Sequence, residues 1–335
     1  MTGPWGISAL RIQPLFAISI SEDVFMDLPD SEWSPPGPTT LAEIHAWCQQ
    51  ATPVFICGLA RSGTSMLQVA FARHSAMYNI KNCRETHIFV RPKTPLEDPI
   101  HVPTKLYLKG RKPLLAYRRL VADLTAKEGP LSEADLIRSF FWFASHSIYQ
   151  GRQPLEKTPG HLKKIPLIFE LFPKARVIVC SRDAVDVSSS YRKRLVKSLE
   201  EGRSRESMKW LDKTAPEMMN VFQRFTKLVT EAQPTWGHAM FMAPYEWLVE
   251  NPEQSLREVC DFVGVPFEPG MLVAQQDEVL DDTAEDTPSP QVAINKRASE
   301  ATQYLSADAI ALIAEGTAAW VPLWSKPGPL GSPVR

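Results

Sequence analysis

Residues 53–74 read PVFICGLARSGTSMLQVAFARH. The first five after the proline are apolar throughout, as expected of a short strand covered on both faces. A Gly/Ser/Thr loop follows, Gly58 to Ser65, and then a stretch with helical character. Strand, loop and helix in that order form the unit that holds a phosphate, because loop N–H groups and the start of the helix converge on an anion. The nucleotide-triphosphatase version is GxxxxGK[ST], in which Lys reaches the terminal phosphates and Ser/Thr binds magnesium. Here Thr64 stands in the Lys position. The cradle is kept without the triphosphate and metal apparatus.

Working outward, Thr40 to Glu43 has capping-box spacing and opens a helix to about residue 50. Residues 76–84 return toward the sheet, and 92–113 form a Pro- and Lys-rich loop. Helices are expected over about 113–128 and 133–149, the second capped by Ser132 with Asp135 at its third position. PGHLKKIPLIFELF (159–172) reads as a helix with an early proline, and ARVIVC (175–180) as a second buried strand. DAVDVSSSYRKRLVKSL (183–199) reads as a helix, followed by a long one over about 207–231. HAMFMAPYEWLV (238–249) is expected as a third strand running into a loop. Asn251, Pro252 and Gly264 bracket a further helix, and Ser306 begins the last. Strands alternating with helices predict an α/β, P-loop-like, three-layer fold with a central parallel sheet flanked by helices. The expected organisation is an irregular extension over 1–38, one domain over 39–320, and a flexible tail over 321–335.

The composition narrows the function class. The chain has 335 residues, with 37 Lys+Arg against 38 Asp+Glu and a net charge of −1. A duplex-binding protein needs a cationic surplus, so no nucleic-acid partner is expected. No apolar run reaches the roughly 20 residues of a membrane span. The mildly apolar start is broken by Arg11 and Pro14 and does not read as a signal peptide. Five cysteines (48, 57, 83, 180 and 260) lack CxxC or zinc spacing, so no metal site is expected. They suit a reducing, cytoplasmic location.

GLARSGTSML (58–67) resembles the 5′-phosphosulfate loop of sulfotransferases that use 3′-phosphoadenosine-5′-phosphosulfate (PAPS). ARVIVCSRDAVDVSSSYRKR (175–194) resembles the same family's 3′-phosphate motif, with Arg182 at a strand end and Ser190 eight residues on. A third stretch, PYEWLVENPEQSLREVCDFVGVPFEPGML (244–272), resembles its C-terminal strand–loop–helix segment. The resemblance spans about 53–315 and is nearest to the bacterial and tyrosylprotein-type branch. It implies that Arg61, Ser62, Gly63, Thr64 and Ser65 hold the 5′-phosphosulfate and that Arg182 and Ser190 hold the 3′-phosphate. In INKRASEATQYLS (294–306), Lys296, Arg297 and Ser299 match a cofactor-contacting loop.

By position in EKTPGHLKK and CRETHIF, the same resemblance gives catalytic roles to Lys157 and Glu85. Lys157 would balance charge on the departing oxygen, with an ordinary ion pair to Glu156 as the plain alternative. Glu85 would take the acceptor's proton. His87 is a rival base, placed on Glu85's face by strand alternation, and His161 is a second rival. Arg61 would also clamp sulfuryl oxygens. The implied reaction is in-line sulfuryl transfer from PAPS to a hydroxyl, with an amine as second choice, and with no metal required. The acceptor's identity and the oligomeric state are not readable. The helical region near 90–150 is expected to help form the acceptor site, although Phe140, Phe141, Trp142 and Phe143 read as helix core. The basic run 105–119 reads as a solvated helix face. The alternative is a nucleoside or nucleotide kinase with an atypical phosphate loop.

Overall fold

The computed structural model describes residues 37–79, 85–89, 111–148, 151–275, 291–294 and 299–331. Expectations for 1–36 and 92–110 fall outside them.

The chain opens with helix α1 (Leu41–Gln50), whose Thr40–Glu43 capping box is formed. Strand β1 (Val54–Gly58), the loop and α2 (Thr64–Ala72) follow. Next come β2 (Met77–Asn79), α3 (Arg111–Glu128) and α4 (Glu133–Phe143), the last with the expected Ser132–Asp135 capping box. A π-helical turn over Ala144–Ile148 extends α4. Strand β3 (Gln153–Lys157), α5 (Ile165–Leu171), β4 (Arg176–Ser181) and α6 (Ala184–Glu200) carry the centre of the molecule. After them stand α7 (Ala215–Trp236), β5 (Met240–Pro244), α8 (Tyr245–Glu250) and α9 (Pro252–Val263). A small ribbon of β6 (Val273–Gln275) and β7 (Gln291–Ala293) precedes α10 (Ala301–Tyr304), α11 (Ala307–Thr317), α12 (Val321–Trp324) and β8 (Gly328–Pro329).

The main sheet runs β2-β3-β1-β4-β5-β8, parallel except for β8. This is an α/β fold with a central, mostly parallel sheet between helical layers. Alternate side chains enter two separate cores. Phe55, Cys57, Val177, Val179, Met240 and Met242 face one, while Val54, Ile56, Ile178, Cys180, Phe241 and Ala243 face the other. Both faces are dry, which explains why these strands are apolar at every position rather than at every second one.

Several expectations are corrected. Residues 159–172 are not one helix: a 3₁₀ turn over Pro159–Lys164 precedes α5. Pro166, lacking an N–H, suits the start of a helix and not its middle. The long helix begins at Ala215, not 207, where Thr214 and Glu217 form a capping box beside Pro216. The strand at 240–244 runs into a helix, not a loop. Asn251 occupies the N-cap position of α9 without a side-chain cap bond, and Gly264 ends that helix in the left-handed conformation.

The expected flexible tail is folded as far as it is described. Trp324 is buried against Phe222 and Phe225, its carbonyl accepts from Ser181 Oγ at 2.6 Å, and β8 pairs with β5. Large apolar area removed from water outweighs the entropy of fixing this short segment. Trp324→Ala is therefore expected to cost about 3–5 kcal/mol, read as a lowered denaturation midpoint. A truly loose tail would leave the midpoint unchanged.

Gly58 ends β1 at φ 131°, and a Cβ there would lie 2.8 Å from Cys180 N and press on its carbonyl. Gly58→Ala thus combines a disfavoured backbone with a clash between two central strands. A loss of at least about 3 kcal/mol is expected, seen as poor soluble yield or a lowered denaturant midpoint.

Candidate functional site

Three strand ends meet at the carboxyl edge of the sheet. β1 lies between β3 and β4, with Ile56 in register with Lys157 and Gly58 with Cys180. Neighbouring strands are about 4.8 Å apart, so the loop after β1, Lys157 and Arg182 form one row. The chain fills one side of β1 first and then the other, and ligands of open α/β sheets bind at such a switch point.

The loop has left-handed backbone at Arg61 (φ 69°) and Gly63 (φ 87°). Left-handed residues in a tight loop turn successive N–H groups toward one centre, and the first turn of α2 adds donors without helical partners. A left-handed Arg is strained, and such strain persists where the surroundings hold it. Here the side chain is held too: Arg61 Nε donates to Ser190 Oγ at 3.0 Å. Ser190 still has its own proton to donate. This bond ties the phosphate loop to α6.

Ser62 lies between the two left-handed residues. It is fully buried, and its hydroxyl faces Leu59 O at 2.6 Å and Cys180 O at 3.2 Å. It pins the loop to β4, so only its N–H remains for an anion. Thr64 is buried at the start of α2, and Ser65 is half-buried beside it.

Arg182 leaves the end of β4 and lies with its guanidinium 4.2 Å from the Tyr245 ring centroid. Tyr245 also packs on the loop: a Cβ on Gly63 would meet its Cδ2 at 2.8 Å. Arg182 Nη2 reaches Asp186 Oδ2 at 3.4 Å, and Arg182 Nε is buried without a hydrogen-bond partner among the described residues. An orphaned, buried guanidinium donor is a place for an anion's oxygen. The Ser299 hydroxyl donates to Asp186 Oδ1 at 2.5 Å, on the same carboxylate that Arg182 reaches. Asp186 and Ser190, one turn apart, therefore form the face of α6 that meets Ser299 and Arg61. Lys296 and Arg297 lie outside the described residues.

Lys157 is buried to 3% exposure, and its Nζ lies 3.4 Å from Glu85 Oε1. Its partner is thus Glu85 and not the adjacent Glu156, which strand alternation sends to the opposite face. His87 Nε2 stands 3.4 Å from Glu85 Oε2. The two do meet, but not through strand alternation: His87 is left-handed at φ 52°, in a segment that forms no strand. His161 is no rival base. It is fully buried, with Nδ1 2.8 Å from Glu156 Oε2.

Tyr191, on α6, lies within electrostatic reach of both Arg61 and Glu85. Burial pushes its hydroxyl up to about 12, Arg61 acting to lower it and Glu85 to raise it. It also lines a cavity of about 390 Å³ between α6, α7 and α11, together with Ser188, Leu211, Met218 and Ile313. Tyr191, Tyr245 and Asp186 were not singled out from sequence; their positions just past strand ends were the available signal for the last two. The cysteines at 48, 57, 180 and 260 are buried and free, and Phe140 to Phe143 are core. Among the described residues no group of three or more His, Cys, Asp or Glu could hold a metal ion, and no helix is long and apolar enough to cross a membrane.

Comparison with known proteins bears on this arrangement. A domain of the curacin biosynthetic pathway, a sulfotransferase by description, is 22% identical, with a TM-score of 0.45 over 66% of this chain and 77% of that one. A sulfotransferase from Alicyclobacillus acidocaldarius is 17% identical, with a TM-score of 0.47 over 82% and 96%. These likenesses are too distant to carry a functional argument. An uncharacterized protein of Aquifex aeolicus is 23% identical over 229 residues, 66% of this chain, which spans about a quarter (26%) of that relative's length. The decisive match is a family model described as the sulfotransferase family, which covers residues 53–269, from the strand before the loop to the end of α9 and beyond. The chain belongs to the sulfotransferase family.

Proposed function

We propose that this protein transfers the sulfuryl group of PAPS to a hydroxyl of its acceptor, an amine being the second choice. The observation that carries the proposal is the row at the sheet edge. An anion cradle and an unsatisfied buried arginine donor follow two adjacent strand ends, and the buried Lys157 at the end of a third meets the partly exposed Glu85.

The residues fit a doubly anionic nucleotide. The loop N–H groups with Arg61, Thr64 and Ser65 bind one end, and Arg182 with the proton of Ser190 binds the other. PAPS, when bound, supplies the activated sulfur. Glu85 accepts the acceptor's proton as the new oxygen–sulfur bond forms. Lys157, relieved of its partner's charge by that proton, faces the negative charge that builds as the bridging oxygen–sulfur bond breaks and adenosine 3′,5′-bisphosphate departs. Positioning and fixed cations account for the rate, as in other transfers of anionic groups. Arg61, bonded to Ser190, keeps the two anion sites in register.

Turnover of ³⁵S-labelled PAPS tests this directly. Labelled product and bisphosphate are expected at the same rate with and without a metal chelator, and ATP is not consumed. Consumption of ATP that stops in chelator would make the protein a kinase with an unusual loop.

A further inference from the structure

We propose that Glu156, which touches neither anion site, is the positioning residue that assembles the catalytic pair. It does so by holding residues 85–89 against the end of β3. The inference rests on the reading of Glu85 as the base.

Glu85 and Lys157 are 72 residues apart in sequence. Lys157 sits in a strand, whereas residues 85–89 belong to neither helix nor strand, so their N–H groups need partners from elsewhere. Side chains supply them one after another. Thr86 N donates to Thr158 Oγ1 at 3.1 Å and to Glu156 Oε1 at 3.3 Å. His87 N donates to Thr158 Oγ1 at 3.3 Å, Ile88 N to Thr86 Oγ1 at 3.2 Å, and Phe89 N to His161 Nε2 at 3.4 Å.

Every one of those acceptors leads to Glu156. Thr86 Oγ1 donates to its Oε1 at 2.5 Å, Thr158 Oγ1 to the same oxygen at 2.7 Å, and His161 Nδ1 to Oε2 at 2.8 Å. Each hydroxyl spends its single proton on Glu156 and turns its lone pairs to the segment's amides. His161 likewise turns Nδ1 to Glu156 and keeps Nε2 as the acceptor of the Phe89 N–H. A carboxylate, with acceptors only, sets the direction of the whole network.

An amide at 156 fits this network in neither orientation. With its NH₂ toward His161 it would force the other tautomer, and Nε2–H would then face the Phe89 N–H. With its NH₂ toward the threonines it would turn the Thr158 proton against the Thr86 and His87 amides and the Thr86 proton against the Ile88 amide. Ile88 and Phe89 anchor the same segment in the core, Phe89 packing edge-on to His161 at 4.9 Å. Glu156 and Lys157 are consecutive on β3, so the residue that orders the base's segment is one peptide from the cation that the base meets.

The experiment uses full-length protein with Glu156→Gln, and Thr86→Val as a second variant that keeps the buried carboxylate. The probes are adenosine 3′,5′-bisphosphate in calorimetry, single-turnover release of labelled sulfate from PAPS with water as acceptor, and amide exchange over 85–89. Expected for Glu156→Gln are bisphosphate affinity within about twofold of wild type, faster exchange at residues 86–89, and sulfate release slowed about ten- to a hundredfold, the scale of a misplaced catalytic group. Thr86→Val shows the same pattern more weakly. Because Glu156 acts through Glu85, adding Glu156→Gln to Glu85→Gln slows release no further, an outcome that general destabilisation would not give. Wild-type rates in both variants, or fully additive losses in the double variant, overturn the proposal. If Glu85→Gln alone releases sulfate at the wild-type rate, the base reading fails instead, whatever the exchange data show for residues 86–89.

Discussion

Glu85→Gln is expected to slow turnover of labelled PAPS by about 10²–10⁴-fold, the range for loss of a positioned general base, with bisphosphate affinity changed by no more than about twofold. The amide keeps the shape of the side chain and removes its ability to take a proton. Glu85 contacts Lys157 and His87, so the substitution acts on the proton transfer and not on the groups proposed to hold the bisphosphate. His87→Ala separates the two candidate bases. If His87 only flanks Glu85, its loss costs less than about tenfold; a drop as large as that of Glu85→Gln would move the proton transfer to the imidazole.

Lys157→Ala is the second large effect. A preorganised cation beside a developing oxyanion is worth about 10²–10³ in kcat when removed. Lys157 is nearly buried, so water replaces it poorly and its charge acts at short range. Lys157→Arg is expected to recover only part of the loss, since the planar fork does not take the ammonium's place in a tight pocket. A Lys157→Ala protein with unchanged kcat would leave the Lys157–Glu85 contact as a simple ion pair.

Much of this architecture is legible in the sequence because burial on both faces leaves an uninterrupted apolar run. VFICG, VIVC within RVIVCS, and MFMAP are each such a run, and each lies in a central strand. β3 is invisible to the same test. Its sequence QPLEK carries Pro154, Glu156 and Lys157, which argue against a central strand. Their burial is possible only because Thr86, Thr158, His161 and Glu85 come to meet them, and those partners are tertiary. The phosphate loop and Arg182 are visible because they follow apolar runs that read as strands, whereas Lys157 is reached only through the resemblance of EKTPGHLKK to the sulfotransferase family. What Ser62, Asp186, Ser299 and Tyr245 touch depends on how α6, α8 and the C-terminal segments close over the edge, and no local spacing encodes that. The C-terminal tail shows the same limit: its many prolines suggest looseness, while one tryptophan buried on α7 fixes it.

The most direct test of the central claim is calorimetric titration of the protein, without magnesium, with adenosine 3′,5′-bisphosphate, ADP and ATP. The proposed function predicts that the bisphosphate binds most tightly, because Arg182 and Ser190 would meet a 3′-phosphate that ADP and ATP lack. Arg182→Ala then weakens bisphosphate binding about ten- to a hundredfold, the value of a charged hydrogen-bonded contact, and leaves the weak binding of ADP nearly unchanged. Tighter binding of ATP, dependent on added magnesium and indifferent to Arg182, would contradict the account.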